Sequence, residues 1–250
     1  MAFFDGLKAS LAARKGYTAH VQGNRLSDQG KHEEAAAQHA LALKSYTEAF
    51  DLGMKKPIYF MTYGVLLLRL RRVEEAKNAF LRAERCRDLT KDQRAQLRIN
   101  FAVAQWKLGN LDSAIEQLRI AKEYGANGTI YGTLGYILIE KATQTGDFTE
   151  ALEFNMEALD YDDADAVILD NLGQLYLNMG DKEKALEYFT KAHDIKPKQV
   201  DTLYYLAKLA IERGETDTAR EYLETALDGN YSSLATTSRE QAQELMNSLS

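Results

Sequence analysis

Residues 166–199 read AVILDNLGQLYLNMGDKEKALEYFTKAHDIKPKQ, and the reading of this stretch decides the fold. Leu169, Leu172 and Tyr176 recur at three and four residues, the spacing of one helical face. Gly173 puts no Cβ on that face, so a neighbouring helix can approach closely there. Gly180 stands just past the last periodic residue, where a left-handed helix end favours glycine. Asp181 follows as an N-cap, with Glu183 in the positive first turn of a second helix. Ala185 and Ala192 lie seven apart on one stripe, small where two helices cross, and Phe189 between them supplies bulk. Pro197 lacks an amide hydrogen and ends the second helix.

Working outward, the turn followed by alanine five residues on recurs along the chain. It reads GKHEEA (Gly30–Ala35), RRVEEA (Arg71–Ala76), GNLDSA (Gly109–Ala114), GDFTEA (Gly146–Ala151), GDKEKA (Gly180–Ala185) and GETDTA (Gly214–Ala219). Successive alanines are 41, 38, 37, 34 and 34 residues apart. Six helix-turn-helix units therefore cover most of the chain.

The set Leu169, Leu172, Gly173, Tyr176, Ala185, Phe189, Ala192 and Pro197 resembles the tetratricopeptide repeat, whose period is 34 residues. The resemblance implies an all-α, right-handed α-solenoid of about six such helix pairs, with an N-terminal helical segment and a C-terminal capping helix. An amphipathic segment is expected at residues 1–15 and the repeat array at 16–250. Its units fall at about 16–56, 57–90, 91–127, 128–165, 166–199 and 200–232, with the capping helix at 233–250.

The units depart from the pattern in readable ways. The first keeps Gly23, but its second helix is predicted to run from Lys31 to Leu52. The excess of seven residues is two turns, so Ala35 and Ala42 keep the same phase and the helix should project. The second has Phe60, Gly64, Ala76, Phe80 and Ala83, with Pro57 opening its first helix. Thr90 and Gln93 form a capping box that starts the third unit's first helix at Lys91 and carries it to Leu108. That unit has Ala102 in place of glycine. The fourth adds about one turn in ILIEKATQTG, and its Asn155, where an aromatic is expected, should weaken the interface or face solvent. The sixth has Ala207, Ala219, Leu223 and Ala226, and SREQAQELMNSLS reads as a polar final helix.

Composition narrows the function. The chain has 250 residues, 45% of them apolar, two prolines and no Ser- or Gly-rich linker. A single cysteine, Cys86, allows no intramolecular disulfide and suits a reducing compartment. No apolar run reaches the roughly 18 residues of a membrane span. The first residues lack the apolar core of a signal peptide, so the expected address is cytoplasmic. Residues 1–125 carry 21 Lys+Arg against 14 Asp+Glu, a net of +7, and residues 126–250 carry 10 against 23, a net of −13. The acidic half disfavours nucleic acid, while the polarity suits a charged partner or head-to-tail self-association.

Motifs for chemistry are lacking, so no enzyme activity, cofactor or metal is expected. His32 and His39 are seven apart in HEEAAAQH rather than the four of a zinc helix. DYDDADAVILDN, from Asp160, lacks the glycine and the final Glu of a calcium loop. There is neither GxSxG nor GxxxxGK[ST]. Arg85 and Arg87 would lower the pKa of Cys86 if it were exposed, but an inert helix cysteine is the reading preferred.

What remains is a surface. In tetratricopeptide arrays the first helices line a concave groove, and the resemblance carries that role to twelve residues. They are Met61, Val65 and Arg69, then Asn100, Val103 and Lys107, then Tyr136, Asn171, Gln174, Tyr204, Tyr205 and Lys208. The expected function is non-catalytic binding of a partner protein's peptide or helix there, as an adaptor or scaffold. The acidic Asp170 and Asp201 would favour basic ligands. The lysine–asparagine pair by which chaperone-binding members grip a carboxylate is absent. The alternative is a peripheral membrane organiser docked by Phe3, Phe4, Leu7 and Leu11, beside the basic Lys8, Arg14 and Lys15.

Overall fold

The computed structural model describes residues 2–249, with side chains from residue 5 onward. Thirteen helices and no strand are found among them. They form two compact units divided between Tyr124 and Gly125. The first holds α1 (Ala2–Asp28), α2 (His32–Asp51), α3 (Pro57–Arg69), α4 (Val73–Glu84), α5 (Lys91–Lys107) and α6 (Leu111–Tyr124). The second holds α7 (Gly128–Thr145), α8 (Thr149–Tyr161), α9 (Ala166–Asn178), α10 (Lys182–Ile195), α11 (Val200–Glu212), α12 (Thr216–Asp228) and α13 (Arg239–Asn247). Because Gly125 is uncharged, the basic and acidic halves of the sequence are these two units.

The repeat marker has a geometric cause. The first residue of each marker is left-handed, with φ of 73° at Gly30, 80° at Gly109, 78° at Gly146, 88° at Gly180 and 77° at Gly214. Arg71 fills the same place at φ 59°, which an L side chain adopts only at a cost on the order of 1 kcal/mol. The alanines five residues on, from Ala35 to Ala219, are all at most 2% exposed.

Size complementarity closes each helix pair. A Cβ added to Gly64 would lie 2.3 Å from the ring of Phe80, and one on Gly173 would lie 2.6 Å from that of Phe189. Where the first helix carries Ala102 or Ala207 instead, the partner position holds the smaller Leu118 or Leu223, both fully buried. Of the two outcomes expected for Asn155, a weakened interface or exposure, exposure is not found. The residue is fully buried, and its Nδ2 donates to the carbonyls of Gly135 at 3.2 Å and Ala151 at 2.8 Å. Its Nδ2 is satisfied on backbone that the missing Cβ of Gly135 leaves reachable, while its Oδ1 has no donor.

The expected boundary at residue 15 leaves no break, since α1 is one helix of 27 residues. Nor does α2 project, because the N-terminal half of α1 lies along its two extra turns. Ala9, Ala12 and Ala13 pack with Ala49 and Met54 there. Small residues face α2, while Leu7 and Leu11 point away and are 53% and 59% exposed. The side chains of Phe3 and Phe4 lie outside the described residues. Thr90 and Gln93 make the capping box that opens α5. Ser238 and Gln241 make another that opens α13, whose Ala242 and Leu245 pack on Ala207, Ala219 and Leu223 and cover the last pair.

Candidate functional site

In the first unit the candidate surface is mostly filled in. Met61 is 3% and Val103 2% exposed, so both belong to the core. Val65 and Arg69 are half-buried. Asn100 is buried, and its Oδ1 accepts from Gln96 at 3.1 Å. Lys107 is exposed, with its ammonium 3.6 Å from the centroid of the Trp106 ring.

Behind Arg69 sits a buried pair of histidines, His20 and His39, that no spacing in the sequence marks. His39 is buried in the place of Phe80 and Phe189, against Gly23, and shares a hydrogen bond of 3.0 Å with Asn24 Oδ1. Its ring lies 6.0 Å from that of His20, which is also buried. Burial, then His39, then Arg69 depress the pKa of His20 to about 4. Burial and Arg69 lower that of His39 too. His32, by contrast, is exposed, and no cluster of three metal-ligating side chains occurs among the described residues. Cys86 donates to the Lys55 carbonyl at 3.2 Å, and burial raises its pKa, so the neighbouring arginines do not activate it.

In the second unit the face made by α7, α9 and α11 carries a buried polar network. Asn171 is committed inward, donating to the Gly132 carbonyl at 2.7 Å. Thr202 donates to Asp170 Oδ1 at 2.6 Å and receives from Gln199, while Gln174 donates to Asp170 Oδ2 at 2.7 Å. Asp170 is 3% exposed, so it offers no open charge to a basic ligand. Burial, then the charge of Asp201, push its pKa up to about 7, and burial raises that of Asp201 as well. Tyr136 and Tyr205 border the two carboxylates, and burial raises both phenols. Tyr205 stacks on Phe189 with centroids 5.3 Å apart, whereas Tyr204 packs against the buried cluster of Ala207, Ala210, Ala219, Leu223 and Ala242. Lys208 is exposed, 5.7 Å from both tyrosine centroids.

One component of this face is the chain's own connector between α12 and α13. Asp201 Oδ1 accepts from the consecutive backbone amides of Thr236, at 3.0 Å, and Thr237, at 2.7 Å. Gln174 Nε2 also reaches Thr236 Oγ1 at 3.4 Å. Arg239 anchors the end of the connector, donating to the carbonyls of Leu227 and Gly229 with its guanidinium over the Tyr231 ring. The contact joins residues 35 apart and leaves no periodic trace. The only sequence signal for it is a hydroxyl-rich run, SSLATTS, ahead of a capping box.

Glycine-to-ring helix pairs and left-handed turns at this spacing define a helical-repeat protein. Two tetratricopeptide repeat family models match, one over residues 64–129 and one over 166–196. The chain is a tetratricopeptide repeat protein. A further model, described as Regulator of microtubule dynamics protein 1-3, matches residues 182–250. No curated protein matches the sequence significantly. Among solved structures, a tetratricopeptide repeat protein of Thermus thermophilus aligns with a TM-score of 0.63 at 21% identity, over 77% of this chain and 98% of that one. The Cut9–Hcn1 assembly of the APC/C aligns at 0.60 and 14% identity, over 97% of this chain. This chain spans only 48% of that one. The C-terminal part of a Cytophaga hutchinsonii repeat protein aligns at 0.52 and 17% identity, over 84% and 78%. No helix among the described residues is long and apolar enough to cross a membrane.

Proposed function

We propose that this protein is a non-catalytic interaction scaffold that holds a peptide segment of a partner against α7, α9 and α11. The observation that carries this reading is the pair of consecutive backbone amides received by Asp201. Two successive amides that converge on one carboxylate oxygen read a bend of main chain and leave side chains to neighbouring contacts. Of the twelve candidate positions, Gln174, Tyr136, Tyr205 and Lys208 act in this binding, and Asn171 positions α9 against α7. Peptides selected from a displayed random library on the intact protein test it. The expected result is binding that falls at least tenfold in Asp201→Ala with an unchanged helical signal. Selected peptides indifferent to Asp201 move the surface elsewhere. Tubulin polymers are a first macromolecular partner to assay by co-sedimentation, because the microtubule-regulator model covers residues 182–250, which include this connector.

A second reading is supported by the outward face of α1. Leu7, Leu11 and Val21 are 53%, 59% and 50% exposed, and the exposed Lys8, Arg14 and Lys15 stand among them. An apolar stripe edged by cations suits the surface of an anionic bilayer. Vesicles containing phosphatidylserine should carry the protein upward in flotation, and Leu7→Glu with Leu11→Glu should abolish this. Wild-type protein remaining at the bottom would remove the membrane reading.

A further inference from the structure

The connector between α12 and α13 runs ten residues, Gly229 to Ser238, without helix or strand. It returns to the start of α11, where its main chain is read by Asp201 and its Thr236 hydroxyl by Gln174. The surface beneath it is polar, with Asp170, Asn171, Gln174 and Thr202 buried there or beside it. A contact meant to be permanent gains most from apolar burial. Two buried carboxylates, one of which raises the proton affinity of the other, are a poor foundation for a fixed lid. They suit a surface that must stay soluble and shaped when uncovered. The polar side chains also satisfy one another through Gln199–Thr202–Asp170–Gln174, a chain of hydrogen bonds that does not need the connector.

We propose that residues 230–238 are a tethered stand-in for the ligand of this face, displaced in trans by a peptide that presents the same bend, with two successive backbone N–H donors and small hydroxyl side chains. The inference rests on the scaffold reading above and specifies its ligand and its control. Both ends of the connector stay anchored, by α12 and by Arg239 at the start of α13, while its middle bulges away. A tethered segment competes at an effective concentration in the millimolar range. A ligand in solution therefore binds the resting protein far more weakly than a protein whose connector has been released.

Thr237→Pro releases the connector, since it removes the amide that Asp201 receives at 2.7 Å and leaves the face itself unaltered. The probe is a labelled synthetic peptide of residues 230–239, NYSSLATTSR, titrated by fluorescence anisotropy. Binding to Thr237→Pro should be at least tenfold tighter than to wild type. Adding Asp201→Ala to that variant should abolish it. Equal affinity for wild type and Thr237→Pro overturns the stand-in proposal. Tight binding to Thr237→Pro that survives Asp201→Ala instead overturns the scaffold reading of this face. A second measurement needs no variant. In wild type, the Thr236 and Thr237 amides should exchange with solvent at least tenfold faster than buried amides of α9 and α11. Protection equal to those helices would make the connector a fixed part of the fold and overturn the proposal.

Discussion

Phe189→Ala should destabilise the second unit by about 3–5 kcal/mol, the usual result of emptying a fully buried aromatic site. Its ring is 0% exposed, occupies the space left by Gly173, and stacks on Tyr205 at an interplanar angle of 5°. Against a typical domain stability of about 5–15 kcal/mol, that loss is a large fraction. The complementary change gives a sharper test. Gly173→Ala drives a methyl to within 2.6 Å of the ring and should be strongly destabilising in wild type. In the Phe189→Ala background the methyl enters a cavity, so its cost should fall by about 1 kcal/mol or more, on the order of contact couplings. Urea denaturation of the four proteins measures the coupling. The same Gly173→Ala cost in both backgrounds would show that the glycine serves the helix alone and not the ring.

Acid should destabilise the first unit while it stabilises the second. His20 is neutral in the fold down to about pH 4, whereas an unfolded histidine takes its proton near pH 6.5. Between those values the unfolded state binds more protons, so stability is full above pH 6.5 and falls as the pH drops. His39, Arg69 and the buried Tyr46 face His20, and none of them supplies a counter-charge. The loss should reach about 2–3 kcal/mol by about pH 4, after allowance for partial screening, with His39 adding in the same direction. Asp170 has the opposite sign. Its carboxyl stays protonated in the fold up to about pH 7 but ionises near pH 4 when unfolded. The second unit therefore loses stability as the pH rises through that window. Fluorescence of Trp106, the single tryptophan, follows the first unit, and amide exchange corrected for intrinsic rates follows the second. Parallel pH slopes in the two units would refute the assignment, and His20→Leu should flatten the first slope.

Much of this fold was legible because steric requirements leave marks in local sequence. A left-handed turn favours glycine, a helix crossing favours alanine, and a ring needs a glycine to lie against. Each recurs at fixed spacing, from Gly30 with Ala35 to Gly214 with Ala219. The length of α1 was not legible for a related reason. Its buried face is Ala9, Ala12, Ala13, Gly16 and Ala19, too small to register as a hydrophobic stripe. Leu7 and Leu11, which do register, lie on the exposed face. The candidate groove was read position by position from the first helices, and periodicity does say which residues face that way. It does not say which of them are already engaged. Asn171 is held by Gly132, and Asp201 by a connector 35 residues downstream, partners that no local window contains.

The substitution at Asn155 has a mechanical consequence. At the crossings of the first, second and fifth pairs, Gly23, Gly64 and Gly173 each meet a ring, which resists separation through broad dispersion contact over its face. At the corresponding crossing α7 and α8 are joined by one hydrogen bond, from Asn155 Nδ2 to the Gly135 carbonyl; the second bond of that amide, to Ala151, stays within α8, and its Oδ1 is buried without a donor. Hydrogen bonds are brittle, since they weaken steeply with stretch and misalignment, whereas packed rings yield gradually. Under load applied to this unit, α8 should peel from α7 before α10 leaves α9, and a single water molecule that reaches Asn155 can hold the crack open.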